Sequence, residues 1–191
     1  MRLPPGSSEG SREESATRRG FLRSLAGLSV VAVAAPARLL ADTGSERLLS
    51  FAHTHTGERL TVPYFADGAY LPQALSRLNH HLRDHRSGEE CAIDPALFDM
   101  LNDLRLATGT REPFQVISGY RSPKTNAKLR NAGRGVAKRS LHMDGRAIDV
   151  RLADVQSSVL RDAALELRRG GVGYYRQSDF VHVDTGRFRT W

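Results

Sequence analysis

Cysteine is nearly absent from this chain. Cys91 stands alone among 191 residues, so no intramolecular disulfide can form and no thiolate cage can hold a metal. Any metal must be bound by imidazole and carboxylate. Long apolar runs are absent as well. The stretch from Leu25 to Ala35 is eleven residues, and a helix needs about 20 to cross a bilayer, so no stable membrane span is expected in the mature form. Aromatic residues make up 7% of the chain. They are not interleaved with a dense Lys/Arg run, so the stacking platforms of a nucleic-acid binder are missing, and no nucleic-acid partner is expected. Acidic residues are in deficit, giving a formal charge of +7. Six Arg and three Glu lie in residues 1–41, which leaves a modestly basic remainder. Such a surface steers toward an anionic partner, and a wall polymer or an acidic peptide fits that description. Charge does not choose between them.

The first 41 residues read as an address. Thr17-Arg18-Arg19-Gly20-Phe21-Leu22-Arg23 precedes the short apolar run, and small residues follow at Ala35-Pro36-Ala37 and Leu40-Ala41. A charged start, a short apolar centre and a small-residue exit make a secretory signal, and the paired Arg is of the twin-arginine type. Export to the periplasm is expected. Residues 42–191 then form one domain, long enough for a core of its own, and expected to be a monomer.

Hydropathy patterning within that domain predicts α+β. Arg47–Phe51 and Arg59–Tyr64 flank Thr56-Gly57 as a hairpin. Leu71, Leu75, Leu78 and Leu82 recur at helical spacing over Leu71–His85, which places His80, His81 and His85 on a solvated face. His53 and His55 flank the hairpin turn. Asp94-Pro95 opens a helix that stops near Gly109, with Leu97, Leu101 and Leu104 inward. Phe114–Ser118 is a strand, Ser122-Pro123 opens a short helix to Gly133, and residues 131–139 are a basic, Gly-rich loop. Ala147–Leu152 is a strand. Asp154 caps a helix ended by Gly170-Gly171, and Val172–Tyr175 and Phe180–Asp184 are two last strands. A small mixed or antiparallel sheet flanked by helices is the expected architecture.

Three residues carry the chemistry. His142 and Asp149 stand seven apart in Ser140-Leu-His142-Met-Asp-Gly145-Arg-Ala147-Ile-Asp149, and His182 lies in Phe180-Val-His182-Val-Asp184. Residues two apart in a strand share a face. With Val181 and Val183 inward, His182 and Asp184 share the other face, and Asp149 can project from its strand into the same cleft. Two imidazoles and one carboxylate suit zinc and leave the fourth position open, as a catalytic rather than a structural site does. A metallohydrolase is the reading of the residues themselves.

These motifs, with Ser118-Gly119-Tyr120-Arg121-Ser122 before them, resemble the zinc D-Ala-D-Ala carboxypeptidase and murein endopeptidase superfamily. Within it the likeness is to the murein endopeptidase K type. That type shares the twin-arginine-like leader, a Gly-Val-Ala-Lys run before the first His, the segment Gly170–Tyr175 and a C-terminal Trp, here Trp191. The resemblance implies a hedgehog/D-Ala-D-Ala-peptidase-like fold. It also implies Zn2+ on His142, Asp149 and His182, and hydrolysis of peptide cross-links between peptidoglycan stem peptides. Arg121 matches the family's Arg that binds a substrate carboxylate or steadies the tetrahedral oxyanion. Relatives place a Glu three residues before the last His, where this chain has Asp179, or a His two before, where it has Phe180. Asp179 is the expected general base. Asp184 is the competitor, as base or as the acceptor that orients the His182 ring, and the third outcome is neither. Ser140 and Tyr120 are expected to line the cleft, with Tyr174 or Tyr175 packing the stem peptide. Basic residues Lys124, Arg134, Lys138 and Arg139 are expected to meet substrate carboxylates or to remain a solvated face. A carboxypeptidase trimming terminal D-Ala, and a non-catalytic zinc- or murein-binding module, are the competing functions.

Overall fold

The structure is a computed structural model that describes residues 46–133 and 136–191. The signal segment 1–41 and Arg134 lie outside the described residues. Strands β1 (Arg47–His53) and β2 (Arg59–Ala66) form the expected hairpin, extended by a two-residue β3 (Ala69–Tyr70). Helices α1 (Pro72–His81) and α2 (Pro95–Thr108) follow, then β4 (Phe114–Ser118), α3 (Pro123–Asn131), and a 3₁₀ turn at Leu141–Asp144. The chain ends with β5 (Ala147–Arg151), α4 (Ser157–Leu167), β6 (Gly171–Tyr175), a 3₁₀ turn at Arg176–Ser178, β7 (Phe180–Asp184) and β8 (Arg189–Thr190).

The eight strands among the described residues join one sheet in the order β3-β2-β1-β4-β5-β7-β6-β8. It is mixed: β1 runs parallel to β4 and β6 to β8, and the other neighbours are antiparallel. The fold is α+β. Leu78, Leu97, Leu101, Leu104 and Leu160 from the helices are fully buried against Val116, Ile148, Val150, Val181 and Val183 of the central strands. That apolar face is the main source of stability, at about 25 cal/mol per Å² removed from water. The opposite faces of β5 and β7 are left to carry polar side chains. No helix among the described residues is long and apolar enough to cross a membrane.

Local chemistry explains most element ends. Asp94 accepts from the Ala96 N–H at 3.0 Å with Pro95 in the first turn, and Gly109 closes α2 in the left-handed region. Ser122 caps α3 through the Thr125 N–H. Two ends differ from expectation. Asp154 does not cap α4, because both its oxygens accept from Thr110 Oγ1 at 2.8 and 2.9 Å; the helix begins at Ser157 with no side-chain cap. Helix α1 stops at His81 instead of reaching His85. The Leu82 carbonyl is taken by the Tyr120 N–H at 2.8 Å, and a Cβ on Gly119 would sit 2.5 Å from that same oxygen, so the chain turns away to dock there.

His81, on the α1 face that also buries Ala74 and Leu78, is 5% exposed, beside His53, which is 2% exposed. The solvated face expected for His81 is therefore wrong. His53 Nδ1 accepts from the N–H groups of His55 and Thr56 at 3.2 and 3.4 Å, so the ring is the neutral Nε2–H tautomer. Burial first, then the neighbouring His81 and His55, push its pKa from 6.5 down to about 4. The unfolded chain thus binds more protons than the folded one between these values. Stability linked to His53 is complete above pH 6.5 and is lost as pH falls toward 4, by about 3 kcal/mol in all. Denaturant midpoints of the metal-free protein should fall across this window, and His53→Gln should flatten the slope. A midpoint that shows the same pH dependence in both proteins would contradict it.

Candidate metal centre

Antiparallel register sets the site. Asp149 on β5 pairs directly with His182 on β7, and Ala147 pairs with Asp184. The valines of both strands take the core face, as alternation requires. His142 comes from the 3₁₀ turn before β5. Gly145 ends that turn at φ 65°, where a Cβ would also collide with the Ala92 carbonyl, so glycine is required for the bend that brings His142 over the strand.

The three side chains meet. His182 Nδ1 lies 2.8 Å from Asp149 Oδ1, and His142 Nε2 lies 3.2 Å from both atoms. All three residues are buried, at 3%, 7% and 7% exposure for His142, Asp149 and His182. They are the only group of three or more such residues among the described residues with ligand atoms within 4.8 Å of one another.

Outer partners fix which atoms face inward. His142 Nδ1 is 2.7 Å from the Gly119 carbonyl, which can only accept, so that nitrogen carries the proton. His182 Nε2 is 3.0 Å from Asp184 Oδ2 and donates to it. The inward atoms are therefore His142 Nε2, His182 Nδ1 and Asp149 Oδ1, each presenting a lone pair. Three lone pairs at this spacing call for a cation among them, and a metal ion or a proton on one ring supplies it. The donor set fits zinc, with two imidazoles, one carboxylate and both rings held by outer acceptors. The same geometry holds protons and charge in place: burial raises the Asp149 pKa, but the two histidines outweigh it and keep the carboxyl well below its usual range. For His182 burial lowers the pKa, and the bonds to Asp149 and Asp184 raise it more.

Asp184 is fully buried and takes five donors. They are His182 Nε2, both terminal nitrogens of Arg189 at 3.0 and 2.7 Å, and the N–H groups of Gly171 and Gly186. It is thus the acceptor that orients His182, even though the two lie on one strand. Arg189 comes from β8, a two-residue strand too short for any hydropathy pattern to announce.

A cleft of about 680 Å³ opens over the trio. Arg121, Ser140 and Tyr175 line it, as do Arg86, Arg139 and Trp191. Arg121 is 9% exposed, with its Nη2 3.9 Å from Asp149 Oδ2, and its Nε has no partner among the described residues. Its bonds to Asn126 and Ser118 are long, at 3.4 Å each. Such a guanidinium is free to take a ligand. Trp191 packs its ring 5.1 Å from that of His182 and donates from its indole N–H to Tyr175 Oη at 3.0 Å. Tyr175 stacks on Phe180 at 4.5 Å. Gly173 makes room for the indole: a Cβ there would lie 2.6 Å from it.

Asp179 is not brought to this cleft. It accepts from Ser157 Oγ at 2.7 Å and lies 3.7 Å from Arg151, with its side chain 62% exposed, in a separate hollow that Tyr174 also lines. Asp179 precedes β7 and turns the chain there at φ 51°. Tyr120 packs on the core and does not line the cleft.

A family model described as peptidoglycan L,D-endopeptidase MepK matches residues 41–191. The peptidoglycan L,D-endopeptidase MepK of Escherichia coli is 44% identical over 178 residues, covering 92% of this chain and 97% of that protein. The probable peptidoglycan L,D-endopeptidase MepK of Haemophilus influenzae is 41% identical over 171 residues, covering 88% and 92%. Among solved structures, the Serratia marcescens L-Ala D-Glu endopeptidase ChiX matches at 21% identity over 50% of this chain and 69% of that one. Its TM-score is 0.34, too low to add to the argument.

Proposed function

This chain belongs to the peptidoglycan L,D-endopeptidase MepK family and is a murein endopeptidase, and we propose that it hydrolyses cross-links between stem peptides at a zinc held by His142, Asp149 and His182. The observation that carries the zinc reading is the convergence of three lone-pair atoms on one point with their outer protons fixed. Zinc bound there supplies a Lewis acid for the scissile carbonyl and water acidified toward neutral pH.

The chain's own residues do the rest. Gly119 and Asp184 hold the two rings in the tautomer that faces inward. Arg121 offers unspent donors beside Asp149, available to an anionic oxygen of the substrate. Trp191, Tyr175 and Phe180 form an aromatic wall on which an extended stem peptide can lie. The general-base role goes neither to Asp179, which lies outside the cleft, nor to Asp184, whose lone pairs are all committed. In the same reading residues 1–41 are a twin-arginine-type export signal, residues 42–191 are a single peptidase domain, and the enzyme acts in the periplasm as a monomer.

The test is to incubate the exported form with purified sacculi and zinc and to identify the released muropeptides by mass. Cross-linked dimers should become monomers with their terminal residues intact, and Asp179→Ala should retain turnover within about threefold, where loss of a general base costs about 10²–10⁴. Release of terminal D-Ala alone would make it a carboxypeptidase. Murein binding without any product would make it a non-catalytic module.

A further inference from the structure

Arg86 and Arg121 come from segments far apart in sequence, yet one buried carboxylate ties them together. Asp84 is 1% exposed. Its Oδ1 accepts from the N–H of Arg86 at 2.9 Å, and its Oδ2 accepts from the N–H of Ser122, the residue after Arg121, at 3.0 Å. The Tyr120 N–H to Leu82 carbonyl bond fastens the same two segments one turn earlier. Burial alone would raise the Asp84 pKa, but bonds from Thr125, Ser122 and Arg86 overcome it and bring it to about 2, so the staple is charged at any working pH.

The effect is to set two arginines in the lining of one cleft. Both guanidiniums line it, and the Arg86 charge opposes that of Arg121, on top of burial. No salt bridge to Arg86 exists among the described residues, and Arg121 has only the distant Asp149. Asp149 is also the only carboxylate lining the cleft, and it is committed to the metal trio. Asp84 offsets part of the Arg121 charge, but its oxygens bond the backbone N–H groups of Arg86 and Ser122 and neither guanidinium, so both forks keep donors for an anion from outside.

The proposed reaction supplies one. Where a cross-link is a peptide bond to the amino group of a centre whose own carboxyl the chain does not use, that carboxyl stays free one carbon from the scissile nitrogen. Resting on the endopeptidase reading above, we propose that Arg86 and Arg121 form a subsite for this free carboxylate, with Arg86 as a specificity-determining residue and Asp84 as the positioning residue that sets it. A planar fork on each side of a carboxylate gives charge-assisted and directional bonds. Blocking the carboxylate as a primary amide leaves both forks without a charged partner.

The experiment compares two synthetic cross-linked stem-peptide pairs, identical except that the carboxyl beside the scissile nitrogen is free in one and a primary amide in the other. The zinc-loaded enzyme should prefer the free acid by about 10- to 100-fold in kcat/KM, mostly through KM. Arg86→Gln should lower kcat/KM on the free acid by about tenfold and bring the preference toward unity, while Arg86→Lys should restore part of it. Asp84→Asn should reduce the same preference, a readout that a purely structural role would not move. Equal cutting of both substrates by the unmutated enzyme overturns this inference and leaves the endopeptidase reading standing. A preference that survives Arg86→Gln overturns it too. If the unmutated enzyme cuts neither pair, the endopeptidase reading falls and this inference with it.

Discussion

His142→Ala is expected to release the metal and to lower kcat/KM on cross-linked muropeptides by about 10³-fold or more. The substitution removes one of three inward lone pairs and leaves Asp149 Oδ1 and His182 Nδ1 as a two-ligand site. Two protein ligands do not fix the open tetrahedron that a catalytic zinc needs. Charge stabilisation by a bound metal is worth several kcal/mol at the transition state, and each 1.36 kcal/mol is tenfold in rate. The Gly119 carbonyl also loses the donor that now lies 2.7 Å away, which costs stability but does not touch the core packed on the other face of the sheet. Circular dichroism should therefore show a folded variant. Zinc offers a readout independent of turnover. A ligand that binds only the folded state raises its stability in proportion to the logarithm of its concentration, so added zinc should raise the Tm of the unmutated protein and leave that of His142→Ala unmoved. Turnover equal to that of the unmutated enzyme would remove His142 from the site.

What could be read from the sequence followed local rules. The trio was legible because a strand has period two: once Val181 and Val183 are inward, His182 and Asp184 must share the other face, and the register of β5 against β7 does the rest. The caps at Asp94 and Ser122 were legible because each acts within a few residues of itself. Failures came where a residue's partner is distant. Asp154 looks like a cap until Thr110, 44 residues away, takes its carboxylate. His81 looks solvated until β1, distant in sequence, lays Phe51 and His53 against its ring. Asp84 carried no motif, since the Ser122 N–H that it binds is 38 residues on. Asp179 differs for another reason: the spacing in relatives puts an acid three residues before the last His, whereas here that residue precedes β7 in a left-handed turn and bonds Ser157 outside the cleft.

Asp184→Asn separates the two roles that the sequence left open for this residue. A carboxylate that accepts from His182, Arg189, Gly171 and Gly186 has no lone pair left for a water proton. Its work is to keep the proton on His182 Nε2, and so the lone pair on Nδ1, facing the metal. Asn offers one oxygen to five donors and turns two N–H bonds of its own toward them. Losing a buried, multiply bonded charge beside Arg189 should cost about 2–4 kcal/mol of unfolding free energy. Losing the group that orients a ligating histidine should weaken zinc binding by about 10–100-fold. At saturating zinc the ring can still be filled into place, so kcat should stay within about tenfold of the unmutated enzyme. A general base would behave in the opposite way, with zinc affinity preserved and kcat at saturating zinc down by about 10²–10⁴. Zinc titration followed by turnover at saturation reads both quantities on one preparation. A large loss of kcat at full zinc occupancy would restore Asp184 as the base and take from it the orienting role assigned by the geometry.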